Sequence, residues 1–171
     1  MVTIKAKRFI LRPFKKGDED FLRKNINDIE IYNRTCRIPY PYSRKHAIEF
    51  VKTNSKPNIK AKKELNFAID IDGKVIGGIG FRDMKTHRAE VGYWLGKKYW
   101  NKGIISEALR LITNFGFKKL KLRRVYAIVF TKNKPSAKVL EKNNYKLEGT
   151  MRKYTLKDGK LIDVLLYAKV K

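Results

Sequence analysis

The most constraining feature of this chain is the segment at residues 88–117, which reads RAEVGYWLGKKYWNKGIISEALRLITNFGF. It begins with an apolar stretch typical of a β-strand and continues through a basic loop around Gly103. It then changes to apolar residues at helical spacing. The helix predicted after the loop buries one stripe of side chains, namely Ile104, Ala108, Leu111, Ile112 and Phe115. A strand, a glycine-containing loop and a helix therefore follow one another directly.

This order of elements favours the binding of a phosphate group. The first N–H groups of a helix have no intrahelical partner, and the helix dipole adds partial positive charge at that end. Lys97, Lys98 and Lys102 lie in the same loop. Gly103 has no side chain to keep a pyrophosphate away from the amides. Strand–glycine–helix junctions are also common in α/β proteins that bind no phosphate, so the loop alone leaves both interpretations open.

The rest of the pattern predicts one α+β domain over residues 1–171, with the element order β-α-α-β-β-β-α-β-α-β-β. The strands are predicted at residues 8–14, 65–71, 75–81, 90–95, 124–130, 146–154 and 161–170. Asp18 and Ser43 are predicted to cap the first two helices, and Pro135 marks the start of the last. Three glycines in one strand indicate a bulge or a close backbone approach, namely Gly77, Gly78 and Gly80.

The charge of the chain restricts its partners. It carries 41 Lys and Arg against 16 Asp and Glu, a formal net charge of +25. Such a field favours anionic partners and disfavours cationic substrates such as polyamines and aminoglycosides. The charge can simply cover a solvated surface in a lysine-biased proteome. Alternatively it indicates proximity to nucleic acid, above all ribosomal RNA, with strongly salt-dependent contact.

Other patterns argue against several classes of protein. No apolar run is long enough for a signal peptide or a membrane span, so we expect a cytoplasmic protein that does not contact a membrane. The single cysteine, Cys36, cannot form an internal disulfide. Cys36, His46 and His87 lack the spacing of metal ligands, so we expect no metal site.

Four segments together resemble the GCN5-related N-acetyltransferase (GNAT) superfamily, and more closely its ribosomal-protein N-terminal acetyltransferases. They read RFILRPF, EVGYWLGKKYWNKGIISEAL, NKPSAKVLEKNNYKLEG and DGKLIDVLLYA, and their order and spacing match the family over nearly the whole chain. The resemblance implies a GNAT-type fold. This is a central mixed, mostly antiparallel sheet of about seven strands, with about four helices on its two faces.

The resemblance also implies acetyl-coenzyme A as the acetyl donor. Its pantetheine arm would run beside the strand that ends at Trp94 and Leu95. Asn133 and Ser136 match the family's Asn-x-x-Ser, which lies near the arm and the thiol. The pyrophosphate would lie on the loop and the first turn of the following helix, with Lys97 close by. The residues of this predicted site, called the phosphate loop below, are Asn101, Lys102, Gly103, Ile104, Ile105 and Ser106.

The phosphate loop departs from the family pattern of Gly-x-Gly-x-Gly/Ala, since the three positions here are Asn101, Gly103 and Ile105. Asparagine tolerates a left-handed backbone almost as glycine does, so the first change is mild. Ile105 either tightens the packing of the helix or crowds the cofactor. Asn144 stands where a glycine usually precedes an aromatic residue.

Acetyl transfer to an amine needs a base, a donor for the carbonyl oxygen and an acid for the departing thiolate. Glu90, at the start of a buried strand, is the candidate base, and an ion pair with Arg88 or another neighbour is the alternative. A backbone N–H near Leu95 is the candidate donor for the oxygen.

Three residues are candidates for the acid. The family pattern favours Ser136, and chemistry favours Tyr145 or Tyr154, although each can instead be a helix cap or a core aromatic. Enzymes of this kind can also work mainly by positioning their substrates, in which case no single acid dominates.

These arguments predict an N-acetyltransferase that acts on a primary amine, with the N-terminal α-amine of a protein, such as a ribosomal protein, as the leading acceptor. The alternatives are a small-molecule amine acetyltransferase and a non-catalytic GNAT-fold protein that binds RNA or the ribosome. Acceptor specificity in the superfamily resides in the region corresponding to residues 18–63, where Tyr32, Tyr40 and Tyr42 either line a pocket or pack. Both a monomer and a homodimer are compatible with the sequence.

Overall fold

The computed structural model describes residues 2–55 and 64–171, so residues 56–63 of the predicted acceptor region lie outside it. The helices are α1 (Glu19–Ile26), α2 (Ile29–Arg34), α3 (Arg44–Asn54), α4 (Ile104–Lys118) and α5 (Lys134–Lys142). The strands are β1 (Ile4–Lys5), β2 (Ile10–Arg12), β3 (Leu65–Ile71), β4 (Lys74–Arg82), β5 (Arg88–Leu95), β6 (Arg124–Phe130), β7 (Lys146–Lys157) and β8 (Lys160–Val170). No helix within these ranges is long and apolar enough to cross a membrane.

The described strands form one sheet in the order β1-β2-β3-β4-β5-β6-β8-β7. Neighbouring strands are antiparallel except β5 and β6, which are parallel. The predicted α+β fold with a mixed, mostly antiparallel sheet is therefore confirmed. The structure adds two short elements to the prediction, β1 and α2, each below the length at which sequence periodicity is informative.

The parallel pair separates soon after it forms. β5 pairs with β6 only from Arg88, opposite Arg124, to Glu90, opposite Tyr126. Beyond this point β5 continues beside β4 to Leu95, while β6 continues beside β8. A gap therefore opens between the carboxyl halves of two central strands.

Helices cover both faces of the sheet. On one face α4 and α5 pack on a large core whose fully buried members include Phe67, Phe81, Leu109, Ile112 and Leu140. On the other, α1 and α3 pack on a smaller core that includes Phe14, Leu22, Val51, Ala68 and Val75. Successive side chains of a strand point to opposite faces, so β5 supplies residues to both cores.

A buried ion cluster ties α1 to the sheet. The Arg12 guanidinium donates to Asp70 at 2.7 Å and to both oxygens of Asp18 at 2.8 Å. The side chain of Asp18 also accepts from the backbone N–H of Lys15. Asp18 occupies the N-cap position of α1 but its side chain makes no capping hydrogen bond, so the predicted cap is wrong. The predicted cap at Ser43 is confirmed, because its hydroxyl accepts from the His46 N–H.

Candidate active site

The gap between β5 and β6 is the floor of a cleft of about 1350 Å³. One half is lined by the phosphate loop and the start of α5, and the other by α2, α3 and the strand residues on the α1/α3 face. Most of the predicted site residues line this cleft, namely Glu90, Trp94, Leu95, Lys97, Asn101, Gly103, Ile104, Ile105, Ser106, Asn133 and Ser136. The cleft therefore joins a phosphate-type loop to a second compartment through the gap in the sheet.

The edge of β5 has backbone donors in this gap that have no partner among the described residues. Trp94 lies opposite Gly78 in β4, and the Gly96 N–H donates to the Ile76 carbonyl at 2.9 Å. In an antiparallel ladder alternate residues bond to the same neighbour, so Trp94 bonds to β4 while Tyr93 and Leu95 direct their backbone groups to the other side. The β5–β6 ladder has ended by then, so the N–H groups of Tyr93 and Leu95 face the cleft.

The glycines of β4 allow Trp94 to lie flat on the sheet beside this edge. A Cβ on Gly78 would stand 2.5 Å from the Trp94 indole nitrogen, and one on Gly77 would stand 2.7 Å from the Trp94 carbonyl oxygen. The predicted close backbone approach is thus present, and a register shift after Ile69 gives the bulge as well. The Leu95 carbonyl is occupied by the Trp100 indole N–H at 2.7 Å, which fixes the end of the strand.

The phosphate loop has the backbone that an anion-binding loop requires. Asn101 has φ 60° and Gly103 has φ 73°, both in the left-handed region, so asparagine does adopt the conformation expected of it. Gly103 is the N-cap of α4 and offers no capping side chain. Glu107 is the first residue of α4 whose N–H donates to a described carbonyl, that of Gly103 at 3.1 Å. The N–H groups of Ile104, Ile105 and Ser106 belong to the unsatisfied first turn.

Side-chain contacts hold the phosphate loop in place. Ile105 is half-buried and packs against the large core, as the tighter-packing alternative predicts, and it also lines the cleft. The Ser106 hydroxyl accepts from the Asn143 side-chain amide at 3.0 Å, so it is tied to α5. Arg8, in the turn between β1 and β2, donates to the Lys102 carbonyl at 2.8 Å. This places a guanidinium beside Gly103, with 3.7 Å between Nη2 and the position of a Cβ there.

The lysines of the loop differ in their surroundings. Lys97 pairs with Glu30 of α2, and this partner raises the Lys97 pKa. Its ammonium is thus directed toward α2, and a contact with phosphate remains a prediction. The Lys102 ammonium lies 5.9 Å from the centre of the Tyr99 ring.

Ser136 takes part in a hydroxyl pair at the cleft. Its Oγ lies 2.8 Å from the Tyr93 hydroxyl, and its backbone N–H donates to the Asn133 side chain at 3.3 Å. Asn133 thus caps α5, the structural role that its type favours. Burial raises the pKa of Tyr93 to about 12, although the hydrogen bond to Ser136 lowers it, so the phenol remains protonated at neutral pH.

Glu90 lies in the other half of the cleft and is 5% exposed. Its carboxylate pairs with Arg82, which is directly opposite in β4, and not with Arg88. Arg88 pairs instead with Asp83 at 3.8 Å. The Arg82 guanidinium extends over Gly92, where a Cβ would meet it at 3.6 Å. Its Nε is buried and has no hydrogen-bond partner among the described residues.

The two tyrosine candidates occupy different surroundings. Tyr145 is 3% exposed, and its hydroxyl lies 2.7 Å from that of Thr113 inside the core. It is not one of the cleft-lining residues. Tyr154 is 56% exposed and does line the cleft, at the bend in the β7–β8 hairpin.

Sequence reasoning missed three residues of this site: Arg8, Arg82 and Tyr93. Tyr93 lies in a predicted strand and Arg82 directly follows one, but their partners depend on strand register and on where α5 packs. Arg8 is part of RFILRPF, and no local signal connects it to a loop more than ninety residues away. Within the described ranges no group of three or more His, Cys, Asp or Glu side chains could hold a metal ion.

Comparison with known proteins identifies the family to which the chain is similar. A family model described as an acetyltransferase (GNAT) domain matches residues 8–146. The uncharacterized N-acetyltransferase p20 of Bacillus licheniformis is 30% identical over 174 residues, which cover 100% of this chain and 97% of the relative. The L-amino acid N-acetyltransferase AaaT of Escherichia coli (strain K12) is 26% identical over 166 residues, which cover 95% of this chain and 98% of AaaT.

A solved structure shows the same fold. It is RimL, a ribosomal L7/L12 alpha-N-protein acetyltransferase in complex with coenzyme A, and it matches with a TM-score of 0.88. The match covers 99% of this chain and 98% of RimL at 21% sequence identity. At that identity the match establishes a common architecture and leaves the acceptor to be argued from the cleft.

Proposed function

The chain belongs to the GNAT family of acetyltransferases, and on that basis we propose that it transfers the acetyl group of acetyl-coenzyme A to the N-terminal α-amine of a protein. The observation that carries the proposal is that free strand amides of β5 and free helix amides of α4 line one cleft. Acetyl-coenzyme A has a thioester at one end of its pantetheine arm and a pyrophosphate at the other. The strand amides can bind the arm and the thioester, and the helix amides can bind the pyrophosphate.

The phosphate loop is the proposed pyrophosphate site. The N–H groups of Ile104, Ile105 and Ser106 supply donors, and the α4 dipole adds charge. Gly103 leaves the loop open to a large anion, and Arg8 supplies a nearby cation. The Arg8 hydrogen bond to Lys102 stiffens the loop before the ligand arrives, which lowers the entropy lost on binding.

The free edge of β5 is the proposed site of the pantetheine arm and the thioester. An amide-containing arm can pair with the Tyr93 and Leu95 backbone as an extra strand would. A strand N–H at the carbonyl oxygen stabilises the charge that develops there. Such a donor is typically worth about 10²–10³ in kcat.

The acceptor amine has to lose a proton. An α-amine with a pKa of about 8 is roughly a tenth free at pH 7, a cost near 1.4 kcal/mol, whereas a lysine amine at about 10.4 costs nearly 5 kcal/mol. We assign Glu90 as the carboxylate that receives the proton, directly or through water. The ion pair with Arg82 holds the Glu90 carboxylate in position and compensates its negative charge in a buried environment. A single carboxylate base suits an α-amine better than a lysine amine, because the α-amine costs less free energy to deprotonate.

Ser136 with Tyr93 is the proposed route by which the departing thiolate gains a proton. Either hydroxyl can donate, and their 2.8 Å separation lets one replace the proton that the other gives up. The role of Tyr145 as the general acid remains a prediction. Its hydroxyl is already engaged with Thr113 in the core, so we place it behind Ser136.

Two further features support a ribosomal protein as the acceptor. The net charge of +25 suits a target surrounded by the phosphates of ribosomal RNA. RimL, which shares the fold, is described as a ribosomal-protein α-N-acetyltransferase. The basic field also makes a polyamine an unfavourable substrate.

A free α-amino acid is the second candidate acceptor, and Arg82 is the observation that favours it. A carboxylate next to the reacting amine could pair with this guanidinium, whose Nε has no partner among the described residues. The relative AaaT is named as an L-amino acid N-acetyltransferase. In a peptide or protein the carboxyl group of the N-terminal residue is part of a peptide bond and carries no charge. Assays with peptides and with free amino acids therefore separate the two candidates.

Mass spectrometry of acetylated products tests the proposal. The protein and acetyl-coenzyme A are incubated with lysine-free peptides that have free N-termini, with N-terminally blocked peptides that contain lysine, with L-amino acids and with spermidine. We expect acetylation of the free N-termini. Acetylation confined to blocked lysine peptides or to spermidine would overturn the α-amine assignment, and acetylation of amino acids alone would select the second candidate. If coenzyme A binds but none of the four kinds of substrate is acetylated, the result would favour the non-catalytic alternative.

A further inference from the structure

Five exposed cations lie together at the end of the molecule opposite the phosphate loop. We call this surface the basic corner, and it consists of Lys118, Lys119, Lys121, Arg123 and Lys171. None of the five takes part in an ion pair with another described residue. Lys118 ends α4, the next three lie in the segment between α4 and β6, and Lys171 directly follows β8.

Backbone hydrogen bonds hold these segments against one another. The Arg123 N–H donates to the His87 carbonyl at 2.7 Å, and the Lys171 N–H donates to the Arg123 carbonyl at 2.9 Å. The Leu122 N–H donates to the Gly116 carbonyl at 3.1 Å, which folds the chain back on the end of α4. The basic corner is therefore one continuous, fixed surface.

The alternation of residues 118–124 separates charges from apolar side chains. Leu122 is 2% exposed and Leu120 packs against the large core, while Lys119, Lys121 and Arg123 project to solvent. Lys121 has φ 58°, a left-handed conformation in which glycine or asparagine would be less strained. A lysine thus occupies a position where the backbone alone would favour another residue.

Two carboxylates on neighbouring strand segments, Asp83 and Glu148, are engaged with other partners. Asp83 accepts from the Tyr126 hydroxyl at 2.7 Å, and this hydrogen bond is the main cause of its lowered pKa. Glu148 accepts from Arg124 at 2.6 Å, which likewise lowers its pKa. Both carboxylates pair with cations outside the basic corner, namely Lys85, Arg88 and Arg124.

We propose that the basic corner binds the phosphate backbone of a nucleic acid. Closely spaced lysines and an arginine neutralise successive phosphates and release counterions. A lipid surface is a poorer fit, because Leu120 and Leu122 face inward and Val170 alone offers little area for insertion. The fifteen residues of α4 separate this surface from the phosphate loop by about 22 Å. A bound nucleic acid therefore leaves the cleft open.

Fluorescence polarisation with a labelled RNA hairpin at 50–300 mM salt tests the proposal. The corner variant is K118E/K119E/K121E/R123E, and a neutral version with glutamine at the same four positions guards against misfolding. The matched control is K15E/K16E/R44E/K45E, which changes three lysines and one arginine at exposed positions elsewhere. The two glutamate variants change the net charge equally, and the glutamine version changes it by half as much.

We expect the glutamate corner variant to bind the RNA at least tenfold more weakly than the control at about 100 mM salt, and the glutamine version to bind more weakly than the unmodified protein. The salt dependence should also become less steep, by about 0.9 in log–log slope for each duplex phosphate that the protein no longer neutralises. Acetylation of a free peptide by the corner variants should be unchanged. Equal weakening by the corner and control variants, no binding by the unmodified protein, or binding to anionic vesicles or polyglutamate in preference to RNA would each overturn the proposal.

Discussion

The hydroxyl groups of Tyr93 and Ser136 lie 2.8 Å apart and join β5 to α5 across the cleft. Tyr93 contributes twice at this point, since its backbone N–H faces the gap and its phenol reaches the first turn of α5. The strand that is proposed to align the thioester therefore also positions the proposed proton donor.

Removal of either hydroxyl should slow acetyl transfer. We expect Ser136→Ala and Tyr93→Phe each to lower kcat by about 10²-fold, the lower end of what a general acid contributes. The double variant should be little worse than either single one, because the two groups act as a unit. Steady-state kinetics with a fixed peptide acceptor provides the measurement. Tyr145→Phe is the control and should retain most turnover. A loss in Tyr145→Phe equal to that in Ser136→Ala would move the acid to Tyr145.

Gly103 and Gly159 form a matched pair for testing the phosphate loop. Their φ values are 73° and 72°. At neither position would an added Cβ lie closer than 3.7 Å to an atom outside the adjoining residues. Alanine at either position should lower stability by a similar amount, about 1 kcal/mol, because both φ values disfavour a side chain. We expect only Gly103→Ala to weaken acetyl-coenzyme A binding, by tenfold or more, as measured by calorimetry. Equal affinities for the two variants would argue that the ligand does not approach the loop backbone.

The pair of Arg82 and Glu90 should separate catalysis from stability. Glu90→Gln should lower kcat/KM for the peptide while the affinity for coenzyme A stays unchanged. Arg82→Met should destabilise the protein, because it leaves a buried carboxylate without its cation, a change that costs about 3–5 kcal/mol in well-buried pairs. Combining the two substitutions should restore much of the lost stability but not the activity. Chemical denaturation and kinetics on the same samples provide both readouts. Full activity in Glu90→Gln would exclude Glu90 as the base.

Two tyrosines, the buried Tyr42 and the half-buried Tyr93, should make the protein sensitive to alkali. Burial raises the pKa of Tyr42 and of Tyr93 to about 12, from an ordinary value of 10. The unfolded chain therefore releases these protons first, so stability holds below pH 10 and falls as the pH rises toward 12. Each pKa unit corresponds to about 1.4 kcal/mol. Urea unfolding between pH 9 and 11.5, with phenolate absorbance followed in parallel, measures the effect. Unchanged stability across this range would show that the phenols are not shielded from water.

Local patterns accounted for the fold because most elements are determined by residues close in sequence. Gly103 and Asn101 each favour the backbone they adopt, and the alternation in β3 and β4 predicts the hairpin that forms. The two missed elements are short, and α2 depends on Asp28, whose side chain caps it.

The side-chain pairs of the site were less accessible to sequence analysis. Glu90 was assigned to the cleft, but its partner Arg82 follows only from the β4–β5 register. Arg8 reaches the phosphate loop because β1 and β2 form a turn that no periodicity reveals. Tyr145 looked equivalent to Tyr154 as an acid, and only packing distinguishes a core phenol from one at the cleft.

The backbone amide resonances of residues 93–106, recorded by NMR as coenzyme A is added, test the central claim most directly. We predict that the N–H groups of Gly103, Ile104, Ile105 and Ser106 shift with the pyrophosphate, and that those of Tyr93 and Leu95 shift with the arm. A truncated pantetheine should shift only the two strand amides. If coenzyme A at millimolar concentration leaves the loop amides unchanged, the proposed binding mode is contradicted.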